Sequence, residues 1–233
     1  MSKEEFIKEL TKINIKLTQT QLEQLQIYCE FLIEYNSHTN LTAIKTPEEV
    51  YLKHFYDSLS LIKAIDLSKV NNLLDIGTGA GFPGMVLKIV YPHLDVTLLD
   101  SNNKKITFLK ELANKLNIKV ELIQQRAEEY ILHHRQYYDV VVSRAVAPLN
   151  ILCEISIPFV KLNGFLIAMK GHAEDELNIS SNSIKECGGK LIKTEKFLLP
   201  VENSERTLIV ISKEVNTPNK YPRQYDKIIK KPL

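Results

Sequence analysis

The apolar positions change rhythm near residue 70. Before it they recur at three- and four-residue steps, with Leu22, Leu25, Tyr28 or Cys29, Leu32 and Tyr35 on one face of a helix that begins at the capping-box pattern Thr18-Gln19-Thr20-Gln21. Thr46-Pro47-Glu48-Glu49 is a second start signal, with Thr as N-cap and Pro at the first helical position, and the spacing predicts a helix to about Lys63. The stretch Asn36 to Asn40 between them is turn-rich. From Asn71 onward short β-rich runs alternate with amphipathic stretches, the pattern of βαβ units in a parallel sheet. The predicted strands are 72–76, 95–99, 119–123, 139–143 and 165–169. Two more, near 191–197 and 206–211, follow each other without a helix, which predicts an antiparallel hairpin at one edge of an α/β sheet. The expected organisation is a helical segment over 1–68 packing on the core, a sheet domain over 69–213 and a basic tail over 214–233.

The 233 residues are 44% hydrophobic and 25% charged, enough to bury a core in one or two domains, which excludes a disordered or fibrous chain. No apolar run reaches the roughly 18 residues of a bilayer span, and Met1-Ser2-Lys3-Glu4-Glu5 lacks a signal-peptide layout, so a cytoplasmic location and no membrane partner are expected. Cys29, Cys153 and Cys187 are odd in number and contain no CxxC, which argues against a disulfide framework or a zinc site; no metal is expected. The net charge of +2 is uneven: from Lys213 to the end six lysines and arginines face two carboxylates, leaving the rest about neutral. With Tyr221 and Tyr225 among its cations, this Pro-punctuated tail reads either as an RNA-contacting arm or as a solvated, frayed terminus.

The most specific feature is Asp75-Ile76-Gly77-Thr78-Gly79-Ala80-Gly81-Phe82-Pro83-Gly84, after an apolar strand and before a helix. Glycines there let the backbone turn sharply and approach a ligand. Residues 79–84 also match G-x-G-x-x-G, so a dinucleotide site is one reading. Asp75 points elsewhere, because a carboxylate before the first glycine repels a pyrophosphate but favours a cationic ligand such as S-adenosylmethionine. Asp100 ends the next strand, 21 residues beyond Gly79, where a carboxylate accepts from both ribose hydroxyls of an adenosine. A tight turn with a helix-capping Asp is the alternative without a ligand.

Asp75-x-Gly77-x-Gly79-x-Gly81 with Asp100 resembles the donor-binding motif of class I S-adenosylmethionine-dependent methyltransferases. Asn40-Leu41-Thr42, His54-Phe55-Tyr56-Asp57-Ser58-Leu59, Gly81-Phe82-Pro83-Gly84, Lys104-Lys105, Arg126-Ala127-Glu128, Ser143-Arg144-Ala145, Met169-Lys170-Gly171 and Tyr221-Pro222-Arg223 narrow the resemblance. As an ordered series over nearly the whole chain they resemble the RsmG (GidB) family, bacterial enzymes that methylate guanine N7 in 16S ribosomal RNA. The resemblance implies a Rossmann-like fold with a seven-stranded, mostly parallel sheet and an antiparallel last strand, preceded by N-terminal helices. It implies donor contacts at Gly77, Phe82, Asp100, Ser101, Asn102, Ala127, Glu128 and Arg144, beside Asp75, Gly79 and Gly81 of the glycine loop. The implied partner is 16S ribosomal RNA or the 30S subunit. The tail departs from the family pattern at Gln224-Tyr225-Asp226-Lys227, where relatives often carry a Gly/Pro-rich segment.

Guanine N7 already carries a lone pair, so its methylation needs no general base. Neither a cysteine at a strand end, which carbon methylation of a pyrimidine requires, nor the D/N-P-P-[YF] loop of exocyclic-amine methylation is present. Arg144, Lys170 and Arg126 follow predicted strand ends and are the candidates for orienting the guanine or its phosphates. For Arg126 a salt bridge to Glu128 or Glu129 stands beside that role. His54 reads more simply as a packing residue than as a catalyst, and Asp57 as a cap or pocket wall. The tail, Lys12, Lys16 and Lys104-Lys105 are candidates for tracking an RNA backbone. A methyltransferase of small molecules or proteins, and a nucleotide-binding module, are the rival readings. Nothing calls for an obligate dimer, and a monomer is expected.

Overall fold

The computed structural model describes all residues, 1–233. Its order is α1 (Lys3–Lys12), α2 (Gln19–Thr39), α3 (Pro47–Glu49), a π-helical segment (Val50–Tyr56), α4 (Asp57–Leu59) and a 3-10 turn (Ser60–Lys63). The alternating part follows as β1 (Asn72–Ile76), α5 (Gly84–Val90), β2 (Asp95–Leu99), α6 (Asn103–Leu116), β3 (Glu121–Ile123), α7 (Ala127–Tyr130), β4 (Tyr138–Arg144) and α8 (Leu149–Ser156). Then come β5 (Val160–Lys170), α9 (Glu174–Ile179), α10 (Ser181–Glu186), β6 (Gly189–Leu198), β7 (Glu205–Lys213) and α11 (Tyr225–Lys230).

The seven strands lie in the order β3-β2-β1-β4-β5-β7-β6, parallel except that β7 runs antiparallel to both neighbours. The hairpin expected from the short Pro200–Ser204 linker places β6 at the edge and inserts β7 beside β5. The run 119–123 yields a strand only at Glu121–Ile123, because the edge strand finds partners only at Thr97–Leu99. In contrast, β5 extends back to Val160, which pairs with Tyr138 ahead of a register shift.

One apolar cluster covers each face of the sheet. On one face α1, α2 and the segment 47–63 contribute Phe6, Tyr28 and Phe55 to the same core as Met85, Leu98 and Phe108. The helix expected over 47–63 forms as a continuous helical path, but its middle is wound as a π-helix. On the other face Leu152, Phe159 and Ile184 pack with Ile228 of the tail.

The tail therefore corrects both readings of 214–233 as a free arm. Tyr221 is buried, and its hydroxyl meets Glu186 at 2.9 Å, so it is not available for stacking on a base. Arg135 donates to the carbonyls of Thr217, Pro218 and Tyr221, and Arg223 forks onto the fully buried Glu154. A buried core carboxylate claims Arg223, while Lys220, Lys227, Lys230 and Lys231 stay exposed on the docked tail. No helix is long and apolar enough to cross a membrane.

Candidate active site

The chain leaves β1 toward β2 on one side and later fills β4 on the other, so the strand order reverses between β1 and β4. Loops at the carboxyl ends of such strands part to leave a crevice. Two cavities open there, and Ala145 and Val146, just after β4, line both.

The first cavity holds about 270 Å³. Gly77, Asp100, Ser101, Ala127 and Glu128 line it, with Ile76, Leu99 and Ile155 as apolar wall. Asp100 ties the loops together: its Oδ1 accepts from the Asn102 amide at 2.9 Å, and its Oδ2 from the Gly79 amide at 3.0 Å and Lys105 Nζ at 3.4 Å. Asn102 itself caps α6 through its side chain. Gly77 sits at φ +67°, and a Cβ there would lie 2.4 Å from Val146 Cγ2, so only glycine lets the two loops meet. Gly81 serves packing instead, since a Cβ would meet the Tyr28 hydroxyl at 2.6 Å.

Three expectations about this region change. Asp75 is fully buried beneath the glycine loop, with Oδ2 accepting from the Thr78 hydroxyl at 2.7 Å and the Gly84 amide at 2.8 Å. Burial pushes its carboxyl up to about 7, against those hydrogen bonds, so it braces the loop from below and does not reach the cavity. Phe82 is also buried, stacked on Tyr28 at 5.2 Å and on His54 at 4.0 Å between ring centroids. Arg126 lines the cavity but bridges neither Glu128 nor Glu129; its guanidinium lies 5.3 Å from the Tyr225 ring centroid. Tyr225 itself lines the cavity, a position that composition assigned to a tail.

The second cavity, about 720 Å³, lies on the other side of Ala145–Val146. Arg144 crosses its floor: one terminal nitrogen donates to the Lys53 carbonyl at 2.8 Å and to Asp57 Oδ2 at 3.0 Å, the other to His54 Nδ1 at 2.9 Å. Because arginine can only donate, His54 Nδ1 accepts, and the ring proton sits on Nε2, facing the Thr42 hydroxyl at 3.1 Å. Burial, reinforced by the Arg144 charge, drives the imidazole down to about 3, so it is neutral. Arg206, which sequence reading placed only as a strand residue, donates from Nε to Asp57 Oδ1 at 3.1 Å and lines the cavity.

Asp57 thus has both oxygens occupied and orders two arginines. The network joins two distant segments, His54 to Leu59 and Ser143 to Ala145: the π-helical segment presents Lys53 and His54 together with the start of α4 to the end of β4. Lys170 is likewise committed, donating to the Ala147 carbonyl at 2.6 Å and to Glu176 Oε2 at 2.7 Å. Arg144 and Lys170 are therefore both held by protein acceptors at the edge of the second cavity. Lys105 lines the first cavity, with Nζ 3.4 Å from Asp100 Oδ2.

A family model described as rRNA small subunit methyltransferase G (GidB) matches residues 21–208. The chain belongs to this family. A ribosomal RNA small subunit methyltransferase G of Bacillus subtilis is 45% identical over 228 residues, covering 96% of this chain and 95% of that protein. The like-named protein of Exiguobacterium is 46% identical over 237 residues, covering all of both chains. Among solved structures, a methyltransferase from Pyrococcus furiosus superposes with TM-score 0.56 at 15% identity, over 80% of this chain and 95% of that one. The YcgJ protein of Bacillus subtilis does so with TM-score 0.56 at 13% identity, over 70% and 100%. These two likenesses concern the fold, a Rossmann-like methyltransferase architecture; the family membership makes this chain a methyltransferase.

Proposed function

We propose that this chain transfers the methyl group of S-adenosylmethionine to N7 of a guanine in 16S ribosomal RNA, holding the donor in the first cavity and the guanine in the second. The observation that carries this reading is a pair of neighbouring cavities that share Ala145 and Val146 in their lining, at the switch point of the sheet. The first cavity suits an adenosine-bearing donor: Asp100 offers carboxylate acceptors to ribose hydroxyls, with Lys105 at 3.4 Å the weakest contact to displace. Ile76, Leu99 and Ile155 offer apolar surface to a base, and Gly77 allows close backbone approach. Tyr225 and Arg126 close the far side.

When bound, S-adenosylmethionine supplies a sulfonium-activated methyl group. The chain's own part is alignment and exclusion of water. The second cavity supports a nucleophile with a ready lone pair: His54 is neutral with both ring nitrogens engaged, and Asp57 is saturated by two arginines, so neither is placed to take a proton. Arg144 and Lys170 position the cavity wall, Arg144 by joining β4 to the π-helical segment and Lys170 by anchoring the 147–149 loop. The substrate is the small-subunit RNA, alone or within the 30S particle, and the enzyme works as a cytoplasmic monomer.

The test is methyl transfer from tritiated S-adenosylmethionine to small subunits from a strain lacking this gene, followed by borohydride–aniline cleavage, which cuts at N7-methylguanine. Label at one aniline-sensitive guanine is the expected result. Label in protein, or in RNA that aniline leaves intact, overturns the reading.

A further inference from the structure

A guanine that offers N7 to a methyl donor turns its Watson–Crick edge, N1–H and the N2 amine, toward the opposite wall. Those groups are donors, and they distinguish guanine from adenine and, at N2, from hypoxanthine. A protein that reads them needs an acceptor. The second cavity is rich in groups that cannot accept: Lys53, Arg144, Lys170 and Arg206. Of its two carboxylates, Asp57 is 6% exposed with both oxygens taken. Glu176 is different. Its side chain is 30% exposed, Oε2 accepts from Lys170 Nζ and from the Leu149 amide, both at 2.7 Å, and Oε1 accepts from no protein group.

We propose that Glu176 is the specificity-determining residue of the guanine site, its carboxylate accepting from N1–H and N2–H of the target base. This assignment rests on the reading of the second cavity as the guanine site. Two anchors on Oε2 fix the carboxylate before the base arrives, so little rotamer entropy remains to be lost. The same contact favours the reaction. As the methyl group is transferred, positive charge spreads over the purine, N1–H and N2–H become stronger donors, and their bonds to a carboxylate tighten in the transition state more than in the ground state.

The experiment uses the full chain and small-subunit particles assembled on 16S RNA whose target position is guanine, inosine or 7-deazaguanine, with tritiated S-adenosylmethionine. Hydrogen bonds to a charged partner predict that the wild type prefers guanine over inosine by about 10- to 100-fold in kcat/KM. In Glu176→Ala the rate on guanine falls and the preference shrinks to about 2-fold or less. In Glu176→Gln the amide oxygen replaces Oε2 and its NH2 faces the base, so the preference is lost again while the side-chain volume is kept. A wild type that ignores the N2 amine, or variants that slow on guanine and inosine alike with the preference intact, overturn the proposal and leave Glu176 as a brace for Lys170. Failure of the wild type on the guanine particle, or methylation of the 7-deazaguanine particle, instead overturns the underlying assignment of the cavity, and this proposal with it.

Discussion

Arg223→Ala tests whether the tail is part of the donor site. Glu154 has no solvent exposure, and its carboxylate accepts from the Arg223 backbone amide at 2.8 Å, from Nε at 2.9 Å and from Nη2 at 2.6 Å. Truncation removes both side-chain donors and strands a buried carboxylate, a loss of about 3–5 kcal/mol for buried pairs; the surviving backbone donor sets the expectation near ~3. The chain has one escape, which is to undock the tail and let water reach Glu154. That route gives up the burial of Ile228, worth about 2 kcal/mol, and the three carbonyl contacts of Arg135. Along that route the tail loosens and Tyr225 leaves the first cavity. Urea unfolding should show a stability loss of about 3 kcal/mol, and titration calorimetry a loss of affinity for S-adenosylmethionine of roughly tenfold or more. The paired replacement Glu154→Leu with Arg223→Met removes the charge along with its partner and should restore stability to within about 1 kcal/mol. An Arg223→Ala protein with unchanged unfolding midpoint and donor affinity would refute the reasoning.

Gly77→Ala places a methyl 2.4 Å from Val146 Cγ2 at positive φ, so donor affinity should drop by about tenfold or more; adding Val146→Ala should recover part of it, and no recovery would mean the steric account is wrong. Asp75, with its pKa raised to about 7 by burial, binds its proton more tightly folded than unfolded. Its stabilising contribution is thus complete below about pH 4 and lost as pH rises through 7, so the stability of Asp75→Asn relative to wild type should improve between pH 4.5 and 8; a pH-independent difference in urea midpoints contradicts this. His54, held near 3, stays neutral across the working range, so the kcat/KM profiles of wild type and His54→Asn should differ in height but not in shape between pH 5.5 and 8.5. A limb near pH 6.5 present only in the wild type would show a titrating imidazole.

Most strands were legible because β1, β2, β4, β5 and β7 are near-continuous apolar runs, as burial on both faces requires. The glycine loop and Asp100 were legible because backbone conformation and local chain order place them. What escaped was pairing across distance. The tail looked free because Arg223 and its partner are 69 residues apart. The available signal was Glu154 itself, a lone carboxylate inside the apolar run Leu149-Asn150-Ile151-Leu152-Cys153-Glu154-Ile155, which must find a donor if it is buried. The π-helical winding of 50–56 escaped because Tyr51, Phe55 and Tyr56 fit an α-helical face equally well.

The pairing of the strand-end cations bears on the chemistry. Every cation lining the second cavity touches a carboxylate, although Arg144 and Arg206 share one, Asp57; Lys170 meets Glu176, and Lys53 meets Glu49 and Glu202. For methyl transfer to a neutral base such pairing is favourable, because it lowers the net positive charge around the cavity. The base takes up about half of the transferred positive charge in the transition state, so one uncompensated ammonium about 4 Å from it would raise the barrier by about 2 kcal/mol at an effective dielectric of 20, roughly thirtyfold in rate. With the guanine in the second cavity as proposed, the carboxylates that occupy the arginines and lysines do more than hold the cavity's shape: they reduce a repulsion that would grow along the reaction coordinate, and Glu176, with one oxygen still open, is placed to turn it into attraction.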